Sequence, residues 1–167
     1  MVVIEGSDVH FNDPTDSFNH TTFDLEDAIL ELIRGAKERV HLISYSLPTY
    51  TQNWWLFDSL EYVIGEKGVK LVVHAHRHGE VEGLIDRHRG RGAKGWAWKT
   101  EEGGQGIFHI KAIMVDGKRL YLGSANLSNV AIGSSAEWGV VADSPDICRE
   151  LERYLKQMEN AGRFRRV

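Results

Sequence analysis

The sequence predicts an α/β domain with a mixed β-sheet flanked by helices on both faces. In the first half, amphipathic helical patterns alternate with short apolar runs, which is typical of strands joined by crossover helices. In the second half, apolar runs follow one another directly, which is typical of antiparallel neighbours. A length of 167 residues suits one domain with a full core, so we expect residues 1–167 to form a single domain.

The spacing of apolar residues predicts the elements of the first half. Apolar residues recur three and four positions apart from Asp24 to Ala36, which predicts an amphipathic helix. The segments RVHLISYS and VKLVVHAH have the composition of buried strands, and TQNWWLFDSLEYVIGEKG between them has helical spacing. A short helix from Val81 to His88 and a short strand at GWAWK complete this half.

The second half begins after a glycine-rich segment, EEGGQG, which is expected to be a mobile loop. The strands IFHIKAIMVDG and KRLYLGS are joined by an Asp-Gly turn, which is a strong hairpin signal. A further strand is predicted at AEWGVVAD. Ser144 and Pro145 supply the cap and the first position of the last helix.

Composition limits the class of protein. The start of the chain lacks the basic region and apolar run of a signal peptide, and no stretch of about 18 apolar residues occurs. We therefore expect a cytoplasmic protein without a membrane partner. Cys148 is the one cysteine, and it lies in a predicted helix where it is expected to pack rather than react. The net charge of −4 gives no overall basic signature, so nucleic-acid binding would depend on clustered cations.

Cations and tryptophans cluster upstream of the predicted hairpin. Such side chains can bind phosphates and stack on bases, but a solvated loop and burial of the tryptophans in the core or an interface are alternatives. His76 and Arg77 follow a predicted strand, and ligands often bind at the carboxyl ends of strands, so both are expected to line a phosphate cleft. The candidate substrate-binding residues of the cluster are Arg87, Arg89, Arg91, Lys94, Trp96 and Trp98.

The segment HIKAIMVDGKRLYLGSAN, residues 109–126, carries the candidate chemistry. On a strand, His109 and Lys111 project to the same face. A lysine beside a histidine makes a poor metal site, but it suits a phosphodiester and leaves a neutral imidazole that can attack phosphorus. Lys111, Ser124 and Asn126 could hold the phosphate oxygens and supply the positive charge that a metal ion often provides. We expect no metal and no cofactor; the alternative is a core hairpin with a stray histidine.

The full spacing, H-x-K-x4-D-x6-G-S-x-N, matches the signature of the phospholipase D superfamily residue for residue. The chain resembles this family over roughly residues 23–160, because RVHLISYSLPTY, GVKLVVHAHRHGE and SSAEWGVVAD also resemble family strands. The matched positions are His109, Lys111, Asp116, Gly123, Ser124 and Asn126.

The resemblance implies a two-step reaction. One histidine forms a phosphohistidine, while a second protonates the leaving oxygen and then activates water. Carried over by position, His109 is nucleophile or acid/base, Lys111 and Asn126 bind phosphate, and Ser124 supports that pocket. Glu137 would accept a hydrogen bond from the imidazole, whereas Asp116, on the hairpin turn, is expected to be structural.

Only one copy of the signature occurs in the chain, although the reaction needs two histidines. A homodimer about a two-fold axis would bring two copies of His109 together in one shared site. The small bacterial endonucleases and mitochondrial single-motif members that the chain resembles are arranged in this way. We therefore expect a homodimeric, metal-independent phosphodiesterase, and the single-motif form with its basic cluster favours nucleic acid as the substrate.

Three rival interpretations remain open. His74, His76 and His78 alternate near Glu80 and could bind zinc, although no second ligand cluster completes a hydrolytic site. A lipid phosphodiesterase would need an apolar rim or a membrane-binding helix, and the sequence shows neither. A module that binds nucleic acid without turnover would have no use for the catalytic set.

Overall fold

The computed structural model describes residues 8–12, 25–47, 54–100, 106–127 and 136–167. Within these ranges, eight strands form one sheet in the order β1-β7-β6-β5-β2-β3-β4-β8. The strands are β1 Asp8–Asn12, β2 Arg39–Ser44, β3 Lys70–Ala75, β4 Lys94–Trp98, β5 Ala112–Val115, β6 Arg119–Gly123, β7 Glu137–Asp143 and β8 Phe164–Arg166. The helices are α1 Leu25–Arg34, α2 Trp54–Glu61 with a π-helical turn Tyr62–Glu66, α3 His78–His88 with a 3-10 turn Arg89–Arg91, and α4 Pro145–Asn160.

The sheet is mixed, as the sequence predicted. Strands β2, β3 and β4 run parallel, and their connections pass through α2 and α3. The remaining pairs are antiparallel: β5 pairs with β2 and β6, β7 pairs with β6 and β1, and β8 pairs with β4. The three parallel strands therefore end at the same edge of the sheet, where β5 begins.

Helices cover both faces of the sheet, which confirms the predicted architecture. Along β2, Val40 and Leu42 point into the core shared with α1, α2 and α3, whereas Ile43 points into a second core that contains Cys148 and Leu155 of α4. Cys148 is fully buried, and burial raises the pKa of its thiol to about 11. It packs in the core, as expected, and the raised pKa disfavours the reactive thiolate.

The predicted strand from Ile107 is shorter in the structure. Strand β5 begins only at Ala112, so His109 and Lys111 lie in the segment that precedes it. The neighbouring strands end at Ser44 and Gly123, and beyond them no ladder partner remains to extend β5. The segment from 106 to 111 therefore runs along the sheet edge and is available to line a cleft.

Several other predictions change in detail. Strands β1 and β8 were not predicted, because each is short and gains its stability from pairing with β7 or β4. Helix α3 begins three residues before Val81, at His78. The predicted start of the second helix and residues 101–105 of the expected mobile loop lie outside the described residues.

Candidate active site

His109 and Lys111 meet at the edge where the parallel strands end. Lys111 Nζ lies 3.0 Å from His109 Nε2. Because an ammonium group can only donate, Nε2 is the acceptor and carries the lone pair that a nucleophilic imidazole needs. His109 is exposed and Lys111 is buried, and this burial lowers the pKa of Lys111 although the Glu137 charge opposes the shift.

Ser124 and Glu137 form the next part of the site. The pairing of β6 with β7 brings Ser124 N within 3.0 Å of Trp138 O, and the Ser124 hydroxyl donates a short hydrogen bond to Glu137 Oε2. The expected hydrogen bond from the His109 imidazole to Glu137 is therefore not the arrangement observed. Among the described residues, His109 bonds to Lys111, and Glu137 acts on Lys111 through its charge.

Asn126 lies two residues beyond Ser124, half-buried between the buried side chains of Ala125 and Leu127. Its Oδ1 atom is buried and has no hydrogen-bond partner among the described residues. Buried amide groups are normally paired, and unpaired ones call for a specific explanation such as a ligand. Among the described residues, Asn126 therefore has an acceptor that is free to bind a ligand, three residues beyond the end of β6.

Two glycines support the site by admitting the ring of Tyr121. A Cβ atom at Gly123 would lie 2.2 Å from Tyr121 Oη, and one at Gly139 would lie 2.1 Å from Tyr121 Cε2. Both distances are too short for any side chain. The buried Tyr121 ring thus fills the space beneath β6 and β7, and the glycine of the signature is required by packing rather than by chemistry.

Asp116 lies at the opposite end of the hairpin from His109. Its carboxylate accepts hydrogen bonds from the backbone amides of Lys37, Glu38 and Arg39, at 3.0, 2.8 and 2.8 Å. Partial burial acts to raise the pKa of Asp116, but these hydrogen bonds lower it overall. The residue ties the hairpin turn to the start of β2 and makes no contact with the catalytic pair.

A family model described as the cardiolipin synthase, phospholipase D-like domain matches residues 29–159. The chain belongs to this phospholipase D-like family. The family inferred from the signature is thereby confirmed. A comparison with curated protein sequences finds no match.

Three solved structures share the fold. Nuc from Salmonella typhimurium, a phospholipase D family member, is 17% identical with a TM-score of 0.69, and 97% of each chain is covered. NucT from Helicobacter pylori is 19% identical with a TM-score of 0.65, over 92% of this chain and 96% of that chain. Phosphatidylserine synthase from Haemophilus influenzae Rd KW20 is 13% identical with a TM-score of 0.68, over 96% of this chain and 39% of that one. At such low identity these likenesses establish the fold alone.

Tyr45 connects His109 to the predicted cleft residues. Its ring lies edge-on to His109 at 5.1 Å between centroids and stacks on His76 at 4.9 Å. The Arg77 guanidinium lies 5.6 Å from the centroid of the same ring. His76 Nδ1 accepts a hydrogen bond of 3.3 Å from the Phe108 amide, which joins the end of β3 to the segment carrying His109. The structure therefore brings His76 and Arg77 to the site.

The predicted basic cluster lies elsewhere. Arg87 lies in the last turn of α3, Arg89 and Arg91 lie in the 3-10 turn after it, and Lys94 opens β4. All four therefore lie at the amino end of the parallel strands, opposite His109. Arg87 and Arg91 both bind Glu61, and Arg89 binds Asp86. Partial burial acts to raise the pKa of Glu61, but the hydrogen bonds from these arginines lower it. The structure does not bring this cluster to the candidate site.

The tryptophans differ from each other. Trp96 stacks on His74 at 4.8 Å between ring centroids, and it packs against the second core, which contains Cys148 and Leu155 of α4. Trp98 stacks on Phe108 at 5.8 Å but also lines a cavity beside Tyr45. Trp98 is thus near the site, whereas Trp96 is a packing residue.

The three histidines of the rival zinc interpretation have separate partners. His74 is buried and lies 2.9 Å from His41 and 3.1 Å from Glu159, whereas His78 lies 3.7 Å from Glu82. His76 bonds to the Phe108 amide. In the described ranges, no group of three or more potential ligands converges on a metal position.

Sequence reasoning missed Tyr45 as a residue beside His109. Tyr45 lies in the segment RVHLISYSLPTY, whose resemblance to a family strand was a usable signal.

Proposed function

We propose that the protein is a metal-independent phosphodiesterase that cleaves nucleic acid at a site shared by two protomers. The contact between Lys111 and the exposed His109 carries the proposal, because it sets a nucleophilic nitrogen beside a buried cation. That cation can stabilise charge that develops on the phosphate oxygens. Family membership supports a phosphodiester substrate.

The proposed reaction proceeds in two displacements. His109 Nε2 attacks phosphorus, the phosphorus–oxygen bond to the leaving group breaks, and the partner subunit's His109 protonates the leaving oxygen. Water then loses a proton to the partner subunit's His109 and attacks the phosphohistidine, which releases His109 and a phosphomonoester. Lys111 and Asn126 hold the phosphate oxygens in both steps.

An apolar groove supports the dimer. It has a volume of about 430 Å³, is lined by Ile110, Leu122 and Val140 beside Lys111, and has Trp138 at its rim with 52% of its surface exposed. A second copy of the chain seated here would bury apolar surface within reach of the catalytic pair. The single signature copy and this groove together favour a two-fold assembly.

The same groove is the observation that favours a lipid substrate instead. The sequence shows no apolar rim, yet the structure places one directly beside Lys111. An acyl chain could occupy it in a phospholipid-cleaving enzyme. None of the helices in the described ranges has both the length and the apolar character needed to cross a membrane.

Cleavage assays separate these functions. In EDTA, the wild type should cleave a labelled oligonucleotide, and His109→Ala should abolish cleavage while its circular dichroism and thermal unfolding stay unchanged. Phospholipid vesicles are assayed in parallel. Cleavage of vesicles but not of oligonucleotides would reject the nuclease proposal in favour of the lipid alternative, and activity lost by the wild type in EDTA would reject the metal-independent mechanism.

A further inference from the structure

A second cavity adjoins the candidate active site and belongs to none of the signature residues. It has a volume of about 580 Å³ and lies at the carboxyl end of the parallel strands, between Tyr45 and the last strand. This volume is within the usual range of ligand pockets, roughly 300–1,000 Å³. Its lining includes Tyr45, His76, Arg77, Trp98, Lys99 and Arg165.

The cavity concentrates positive charge in a chain whose net charge is −4. Arg77, Lys99 and Arg165 line it, and none of its lining residues is acidic. Within the described ranges, neither Lys99 nor Arg165 forms an ion pair with a carboxylate, whereas Arg77 lies 3.4 Å from Glu80. The three arginines of the predicted basic cluster, by contrast, are paired with Glu61 and Asp86. Two cations that have no carboxylate partner in the described ranges therefore border this cavity.

Strand β8 creates this arrangement. Its register sets Arg165 opposite Ala97 of β4, and Lys99 N donates to Arg163 O at 2.9 Å. Lys99 directly follows β4, and both its side chain and that of Arg165 line the cavity. Two cations from distant parts of the sequence thus border one cavity.

One aromatic ring lies between the cavity and His109. Tyr45 lines the cavity, stacks on His76 and lies edge-on to His109. A substrate with its reacting phosphorus at His109 would therefore extend past Tyr45 toward the three cations.

We infer that this cavity is a subsite for the nucleotide next to the cleaved bond of a single-stranded nucleic acid. The inference rests on the proposed nuclease function and names its substrate class. Cations beside flat aromatic rings match the alternation of phosphate and base in a single strand. The cavity is reached past Tyr45, so a nucleotide must rotate away from its neighbours to enter it. A nucleotide in a duplex can do this only after its base pair is broken, whereas one in a single strand needs no unpairing.

Charge removal in two places tests the inference. Lys99→Ala with Arg165→Ala removes two cavity cations, and Lys70→Ala with Arg153→Ala removes two exposed cations elsewhere, at the start of β3 and on α4. Binding of a fluorescent single-stranded oligonucleotide is measured by anisotropy in the His109→Ala background, where no cleavage intervenes. We expect the cavity pair to weaken binding at least tenfold and to reduce the slope of log K against log salt by about 1.4, at ~0.7 per phosphate contact. The control pair should change neither.

A minimal substrate separates this inference from the proposed function. Bis(4-nitrophenyl) phosphate has a single phosphodiester and no flanking phosphate, so the cavity variant should hydrolyse it at the wild-type rate. Its KM for the oligonucleotide should rise at least tenfold. If the wild type cleaves neither substrate, the proposed function is refuted. The anisotropy measurement still shows whether the cavity binds single-stranded nucleic acid.

Three results would overturn the subsite itself. One is equal oligonucleotide binding by the cavity and control variants. Another is tighter binding of duplex than of single strand. The last is that the cavity variant loses cleavage of phospholipid vesicles but keeps cleavage of oligonucleotides, which would assign the cavity to a lipid headgroup.

Discussion

Lys111 is a buried lysine, whereas most lysines are exposed to solvent. It is buried next to His109, and burial is the main reason that its pKa is lowered. A cation that is poorly solvated interacts more strongly with an anionic transition state, because less water screens it. The same burial limits the pH range in which Lys111 remains charged.

Removing this cation should cost most of the activity. Lys111→Met keeps the length of the side chain but not its charge, so we expect kcat to fall by about 10²–10³, the loss seen for one transition-state donor. Lys118→Met, at the exposed turn of the same hairpin, is the matched control and should retain wild-type kcat. A Lys111→Met enzyme of normal activity would remove Lys111 from the mechanism.

The lowered pKa of Lys111 also predicts a limit at high pH. Activity needs the charged form, so it should decline as pH rises through a value below the ordinary 10.5. Arginine stays charged at high pH, so the activity of Lys111→Arg should not decline over this range, even if its rate is lower at every pH. Rate profiles between pH 7 and pH 10.5 test this, and an unchanged decline in the arginine variant would assign the limb to another group.

The close packing of Gly139 against the Tyr121 ring gives a second prediction at the residue scale. A Cβ atom at position 139 would overlap the Tyr121 ring, so Gly139→Ala should lower the free energy of unfolding by about 1–3 kcal/mol. In a Tyr121→Leu background the ring is gone and the added cost should be smaller. Urea unfolding of the four proteins measures the coupling, and additive effects would show that the ring is not the obstacle.

At the scale of elements, the β5–β6 hairpin is fixed to β2 at its turn, and the candidate pair His109 and Lys111 lies at its other end. Asp116 fixes the turn to the start of β2 through three backbone amides. The other end leaves the sheet at Lys111, where neighbouring strands stop. Sequence patterns found the hairpin but placed its first strand too early, because alternation of side chains continues where hydrogen-bonded pairing does not.

Weakening the Asp116 contact should destabilise the fold without changing the chemistry. Asp116→Asn keeps one acceptor oxygen but sets an amide group against backbone donors, so we expect a loss of about 1–3 kcal/mol in unfolding free energy. Because the folded-state pKa is lowered, the carboxylate's contribution is present above its unfolded pKa and is lost as pH falls through the folded value.

Asp143→Asn is the control for this exchange. Asp143 forms an ion pair with Arg119, but 71% of its side chain is exposed, so its loss should cost under ~1 kcal/mol. Equal losses in the two variants would contradict the role assigned to Asp116.

At the scale of the whole molecule, a buried hydrogen-bonded chain joins β2, β3 and α4. Glu159 can only accept, so His74 donates from Nε2 and must accept at Nδ1 from His41 Nε2. Both histidines are therefore neutral donors in the fold. Burial lowers the pKa of His41 well below its ordinary value and that of His74 to about 4.

These histidines should make the fold sensitive to acid. The unfolded chain binds protons on them near pH 6.5 and the folded chain does not, so stability present above that pH is lost as pH falls toward 4. His74 alone should cost on the order of 2 kcal/mol between pH 7 and pH 5. His41→Leu with His74→Phe should flatten this dependence in urea unfolding, and an equally steep loss would locate the sensitivity elsewhere.

Subunit mixing tests the shared site. If each site needs His109 from both protomers, heterodimers of wild type and His109→Ala are inactive. After exchange in an equal mixture, roughly one quarter of the dimers are wild type, so activity per wild-type chain should fall to about half. Trp138→Glu should give a monomeric mass and no cleavage. Unchanged activity per wild-type chain would mean that each chain works alone.

The sequence by itself determined the family and the mixed α/β sheet and named His109 and Lys111 as the candidate pair, because the signature spacing and the apolar periodicity are local features. Only the tertiary structure decided what surrounds that pair. Strand pairing over long sequence separations placed Arg165 beside Lys99, joined Tyr45 to His109 and assigned Glu137 to Ser124. It also removed Arg87, Arg89 and Arg91 from the site, because they lie at the end of α3 and in the turn after it, at the sheet edge where the parallel strands begin. Charge clustered in sequence is not charge clustered in space.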